Sequence, residues 1–209
     1  MRIEHITSPA PPKTYWILTL EDGSTLRAYE AAMMDYALHV GMELSDEQRE
    51  ILTCMASRAK LRERAVNILS LRPHSRGELQ KKLLAKGASE EDAEDVLDWA
   101  ERIGLLSDLE VAKGIVRSYG ARGYGPYKIR QELYRHAIPK SLWDEALETL
   151  PEPDTGIDAY LERHLKSHDR KAIKRAADAL ARRGYSWSDI SDGLRRHRLI
   201  DELDDYDEV

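Results

Sequence analysis

Residues 75–100 read SRGELQKKLLAKGASEEDAEDVLDWA, and their punctuation decides the fold. Ser75-x-x-Glu78 is a capping box, the pairing that satisfies the first free amides of a helix. Leu79, Leu83 and Leu84 then recur at helical spacing, and Gly87 supplies a stop. Ser89 opens another helix whose first turn, Glu90-Glu91-Asp92, complements the helix dipole. Its apolar face is Ala93, Val96, Leu97 and Ala100, and Gly104 ends it. Upstream, Leu61, Ala65, Ile68 and Leu69 keep one face apolar as far as Pro73. The stretch predicts three helices in succession.

The pattern then restarts. Ser107-x-x-Glu110 opens a helix bearing Ala112, Ile115, Val116 and Tyr119. A second helix carries Ile129 and Leu133, and a third, from Pro139, carries Trp143, Ala146 and Leu147. A shift of 50 positions superposes Leu79 on Ile129, Leu83 on Leu133, Ala93 on Trp143 and Leu97 on Leu147. A further shift of 47 reaches Leu180, Ile190 and Leu194, with Ile157, Tyr160, Leu161 and Leu165 on the first helix of that copy. Gly184-Tyr185-Ser186 repeats the logic of Gly87-Ala88-Ser89. The chain therefore reads as mainly all-α, a tandem array of three three-helix modules in which each contacts its neighbours. The predicted bounds are 58–106, 107–150 and 155–200, with an elongated arrangement and a linker at Pro151-Glu152-Pro153-Asp154 that leaves modules two and three free to rock.

A lead, residues 1–57, precedes the array. Pro9, Pro11 and Pro12 make residues 1–13 read as a loose entry. Tyr15, Ile17 and Leu18, the turn Glu21-Asp22-Gly23-Ser24, and Leu26 with Tyr29 then predict a β-hairpin. A helix is expected from Glu30 to Val40, stopped by Gly41, and another from the capping box Ser45-x-x-Gln48.

The 209 residues carry a net charge of -6, which argues against a generic nucleic-acid binder, but the charge is unevenly spread. Residues 1–57 hold 4 basic and 9 acidic side chains, and residues 162–200 hold 11 basic and 5 acidic. The last nine, DELDDYDEV, form an acidic tail, 201–209, with 6 acids. No apolar run is long enough to span a bilayer, and the N-terminus lacks the apolar core of a signal peptide, so a cytoplasmic protein is expected. One cysteine, Cys54, excludes an internal disulfide, and its apolar helical neighbours predict an inert core thiol.

Residues 117–133, RSYGARGYGPYKIRQEL, place glycines ahead of a basic helix. A phosphate-cradling loop needs a preceding strand and a Gly-Lys-Ser/Thr ending, and both are missing. The alternative is structural: Gly120 and Gly123 end one helix, Gly125 falls opposite Ser75 as an N-cap, and Pro126 takes the first helical position. Lys128 and Arg130 are expected to be largely exposed beside the buried Ile129 and Leu133. His164-x-x-x-His168 has the spacing of two metal ligands but no third, so a solvated pair is the simpler reading. Trp99, Trp143 and Trp187 read as core or inter-module packing, and no nucleophile elbow is present. Neither a cofactor nor catalysis is called for.

The segments LRPHSRGELQKKLLAKG, IGLLSD and RSYGARGYGPYKIRQELYRHAIP together resemble the RecX family of bacterial recombination regulators. The resemblance covers residues 14 to 200 and is strongest over residues 117–138; the third copy, rich in Ala and Arg, is less typical. It implies a monomeric helical array that binds the RecA filament, touches single-strand DNA weakly or indirectly, and restrains the recombinase in recombination and DNA repair. Independently of it, the basic residues cluster. Arg117, Arg122, Lys128, Arg130 and Arg135, with Tyr124, gather at one helix junction. Lys81, Lys82 and Lys86 occupy the equivalent helix of module one, and Lys171, Lys174, Arg175, Arg182 and Arg183 that of module three. A ribbon of basic second helices suits a polyanionic filament groove. The competing reading is a sequence-nonspecific DNA-binding helical protein that acts without the recombinase.

Overall fold

The structure, a computed structural model, describes residues 1–10 and 14–199. The acidic tail lies outside the described residues. The chain is mostly helical with one small N-terminal sheet, and it divides into two compact units. The first comprises Met1–Arg72 with Leu79–Leu105; the second comprises Pro73–Glu78 with the chain from Leu106 onward.

In the first unit the sheet has three antiparallel strands in the order β1 (Ile3–Thr7), β2 (Tyr15–Leu20) and β3 (Thr25–Tyr29). The hairpin pairs Trp16 with Ala28 and Leu18 with Leu26. Its turn closes through Leu20 N–H to the Ser24 carbonyl (2.9 Å), with Gly23 at φ +79°. The Asp22 carboxylate accepts from the Ser24 amide and hydroxyl, which holds its pKa below the usual value. Strand β1 corrects the loose reading over Ile3–Thr7, while residues 11–13 lie outside the described residues. Its register is irregular between Ile3 and His5, so strict alternation is lost. Its partners are distant in sequence: the Ile3 amide donates to the Met42 carbonyl, and the Gly41 amide to the Ile3 carbonyl.

Helix α1 (Glu30–Asp35) is also shorter than expected. Ala37 turns left-handed at φ +46°, which reverses the chain and buries Leu38, while Val40 stays exposed. Gly41, at φ +91°, thus serves the pairing with Ile3 rather than a helix stop. Helix α2 (Asp46–Leu71) begins at the Ser45 capping box and runs unbroken through residues 57 and 58. Leu52 faces the sheet core, whereas Leu61 and Ala65 are buried further along. Cys54 lies on the exposed face, so the core-thiol reading is corrected: its neighbour Leu52 takes the inward position. Helix α3 (Arg76–Leu84) buries Leu79 and Leu83, and Gly87 stops the chain at φ +85°. Helix α4 (Glu90–Arg102) is capped by Ser89 and buries Ala93, Val96, Leu97 and Ala100. Arg58 of α2 pairs with Asp95 of α4 at 3.2 Å.

The second unit holds α5 (Asp108–Ala121), α6 (Pro126–Arg135), a 3-10 turn at Lys140–Leu142 leading into α7 (Trp143–Leu147), then α8 (Pro153–His164), α9 (Arg170–Arg182) and α10 (Trp187–Arg196). One core gathers Ala112, Val116, Ile129, Leu133, Ile138 and Ala146. Another gathers Ile157, Leu161, Ile173, Leu180, Ile190 and Leu194. The superposed positions Leu79, Ile129, Leu83, Leu133 and Leu180 are all fully buried, so the sequence repeat is a repeat of core positions.

Candidate partner-binding surface

The three glycines of residues 117–125 each have a physical task. Gly120 lets Leu150 pack closely, for an added Cβ would lie 2.7 Å from its Cδ1. Gly123 turns left-handed at φ +73° after α5. Gly125 is the N-cap of α6, with Pro126 at the helix start. A Cβ on Gly125 would sit 2.5 Å from the Gly184 carbonyl oxygen, so two backbones touch there.

That contact is a helix end docked on a helix end. A helix leaves free amides at its start and free carbonyls at its finish. Here the amides of Gly125 and Tyr127 donate to the carbonyls of Arg183 (2.9 Å) and Gly184 (3.0 Å), just past α9. The arrangement recurs at the other end of α6. The Ser75 hydroxyl donates to the His136 carbonyl, Glu78 pairs with His136 Nδ1 at 3.1 Å, and Gly77 lies against Ala137. Ser75 meanwhile keeps its capping box, accepting from the Glu78 amide.

Arginine–tyrosine stacking closes the α5–α6 turn. Arg122 lies over the rings of Tyr119 (4.0 Å) and Tyr124 (5.6 Å), and its Nε donates to the Ser118 carbonyl. Arg183 lies over Tyr124 (5.5 Å) and Tyr160 (5.1 Å), and donates to the carbonyls of Arg122 (2.9 Å) and Gly123 (3.2 Å). His164 rests on Tyr160 at 4.6 Å. Arg122, Tyr124, Tyr160, His164 and Arg183 border a cleft of about 340 Å³ between the α5–α6 turn, residues 150–153, α8 and Tyr185.

Along α6 the basic residues divide. Glu132 is buried at 7 % exposure and binds Lys128 Nζ (3.5 Å) and Arg135 through Nη2 (2.6 Å) and Nε (2.7 Å). Burial pushes its carboxyl up, but hydrogen bonds from Tyr119, Arg135 and Lys128 and the charge of Arg135 more than offset this, leaving it below the ordinary glutamate value. Lys128 and Arg130 are half-buried rather than largely exposed. Lys128 reaches back to Glu132, and Arg130 lies 3.8 Å from Asp144. Arg117 and Arg122 are exposed, Tyr124 is half-buried in the ring stack, and Lys171, Lys174 and Arg175 are exposed on α9. Lys81, Lys82 and Lys86 are exposed at and beyond the end of α3 in the first unit. Trp187 is 64 % exposed, which corrects its assignment to packing: it starts α10 ahead of the first buried residue, Ile190.

Sequence reasoning missed Glu132, Tyr160 and Arg163. Glu132 had a signal: an acid directly before Leu133 on the inward arc set by Ile129. Tyr160 was assigned to the apolar face of α8, and nothing local pairs it with Arg183.

Comparison with known proteins agrees with this architecture. Residues 62–99 match the family model of the RecX first three-helix domain, and residues 107–147 match that of the second. A regulatory protein RecX of Vibrio campbellii is 32 % identical over 137 residues, 64 % of this chain and 88 % of that protein. One from Prosthecochloris aestuarii is 32 % identical over 143 residues, 67 % of this chain and 91 % of that protein. In fold, a crystal structure of a regulatory protein RecX superposes with TM-score 0.76 at 22 % identity, covering 93 % of this chain and 98 % of that one. RecX from Lactobacillus salivarius superposes with TM-score 0.61 at 23 % identity, over 70 % and 96 %. With both helical triplets matched and its relatives covered nearly end to end, the chain belongs to the RecX family of regulatory proteins.

Proposed function

We propose that this chain is a non-catalytic regulator of the RecA recombinase. It binds along the RecA–single-strand DNA filament in the cytoplasm, as a monomer without a cofactor, and restrains ATP turnover and strand exchange. Family membership supports the partner, and the relatives are named as regulatory proteins. Among the described residues no helix is long and apolar enough to cross a membrane.

One observation carries the choice of surface. Helix α9 begins Arg170-Lys171 and has no acid in its first turn. The start of a helix is its positive end, where cations are disfavoured by about 0.3–1 kcal/mol each. Lys171 is exposed there, and Lys174 and Arg175 are exposed one turn further on, at a spacing that puts all three on one face. The N-cap Asp169 offsets part of this charge, and the remaining excess of exposed cations on one face suits a polyanionic partner. Arg117, Arg122, Tyr124, Lys128, Arg130 and Arg135 extend the proposed contact, and Lys81, Lys82 and Lys86 add to it from module one.

The second reading is a DNA-binding protein that acts without the recombinase. Exposed Tyr127 and Tyr134, seven residues apart on α6, favour it, because bases stack on such rings. Co-sedimentation decides between them. The first reading requires capture by filaments and little binding to naked DNA at physiological salt. Equal capture by DNA alone selects the second.

A further inference from the structure

The cleft beside the α5–α6 turn is cationic. Arg122, Arg163, Arg183 and His164 line it, against one acid among the described residues, Glu152. Its tyrosine faces are already taken, since Arg183 lies against both Tyr124 and Tyr160, and Arg122 lies against Tyr119. Tyr185, the other tyrosine ring in its lining, is only 7 % exposed, so little ring face is left for a base. What it offers is guanidinium N–H groups, with Arg122 and Arg183 held in place by rings and carbonyls and Arg163 reaching in from α8. Arg122 has spent only Nε, on the Ser118 carbonyl, and Arg163 is exposed on α8. Guanidinium groups whose planes are fixed bind carboxylates and phosphates through paired N–H donors.

We infer that this cleft is the docking site of the chain's own acidic segment, residues 201–209. Charge complementarity is the first argument: DELDDYDEV supplies six carboxylates and no cation. Reach is the second. Leu199 is buried in the same small core as Tyr185, and Tyr185 lines the cleft. The ten residues that follow span at most roughly 33–36 Å, ample for a segment anchored on the same three-helix core. The segment then acts as a plug that any external polyanion must displace. The inference does not rest on the recombinase reading, because ligand and site lie in one chain.

The test uses the full-length chain, intact and with all six tail acids neutralised (D201N, E202Q, D204N, D205N, D207N, E208Q). Amide chemical shifts of Gly123, Tyr124 and Gly156 should differ between the two at about 0.02 M salt and converge at about 0.5 M, as screening requires. A labelled DELDDYDEV peptide should bind the neutralised chain saturably. It should bind about tenfold more weakly to the intact chain, and also to neutralised chains carrying R163S or R122S/R163S. Identical cleft shifts in both chains, equal peptide affinity in both, or peptide affinity untouched by R163S and R122S/R163S would each overturn the inference. A thymidine oligonucleotide that shifts the same amides equally in both chains would do so too, marking an unplugged nucleic-acid site.

Discussion

Glu132 is a buried acid held by three donors, and its removal strands all of them. Glu132→Ala leaves Lys128, Arg135 and the Tyr119 hydroxyl without their acceptor, and should cost about 1–3 kcal/mol in urea unfolding. The sign of its pH dependence follows from the depressed pKa. A carboxyl that is more acidic folded than unfolded contributes stability above its unfolded value, about 4.3, and that contribution fades as pH falls through the folded value. The intact chain should therefore lose stability below that point more steeply than Glu132→Gln. The same acid separates its neighbours. Lys128→Glu sets a like charge beside Glu132 and should destabilise clearly. Arg130→Glu loses only a long contact to the exposed Asp144 and should stay within about 0.5 kcal/mol of the intact chain. Equal melting temperatures for the two reversals would show that Lys128 is not tied to Glu132. Exposure of Lys128 looked safe from the sequence because Ile129 and Leu133 fix the inward arc. The misjudgement lies in the side chain, whose length lets the ammonium fold back over a buried partner.

Helix ends, capping boxes and core repeats were legible because they depend on neighbours three or four residues away. Ser45, Ser89, Ser107 and Ser186 all cap as their spacing requires. Strand β1 and the early end of α1 were not legible, since both depend on residues 41–44 returning to Ile3 and Met1. The docked helix ends were half legible: Gly125 reads as a cap, but its match to Gly184 across the α6–α9 contact leaves no local trace. That match is testable with paired glycine substitutions. Gly125→Ala drives a Cβ onto the Gly184 carbonyl, and Gly184→Ala onto Lys128 Cβ at 2.7 Å from a backbone at φ +91°. Neither backbone can yield cheaply, so each should cost about 1–3 kcal/mol. Gly114 is the control. It lies inside α5 with nothing within 4 Å of an added Cβ, so Gly114→Ala should raise stability by about 0.5–1 kcal/mol. If all three substitutions lower the melting temperature alike, the contact between α6 and α9 is not a close backbone match.

For the whole molecule, fold and charge make opposite demands on α9. Its inward residues Ile173, Ala176, Ala177 and Leu180 are fixed by the core, whereas Lys171, Lys174 and Arg175 touch nothing the core needs. Helix electrostatics favour acids over Lys171 in the first turn, as α4 shows with Glu90, Glu91 and Asp92. The reversal Lys171→Glu/Lys174→Glu/Arg175→Glu should therefore leave the fold intact, with melting temperature unchanged or slightly raised. Binding should move the other way. On the proposed reading these three cations meet a polyanion and contribute a salt-dependent attraction, so the triple reversal should weaken filament capture by at least about tenfold at low salt, with the deficit shrinking as salt rises. Co-sedimentation across a salt series, run beside thermal melts of the same samples, reads both quantities. A folded triple variant captured like the intact chain at every salt would move the binding surface away from α9, leaving Arg117 and Arg122 near the α5–α6 turn as the residues to reverse next.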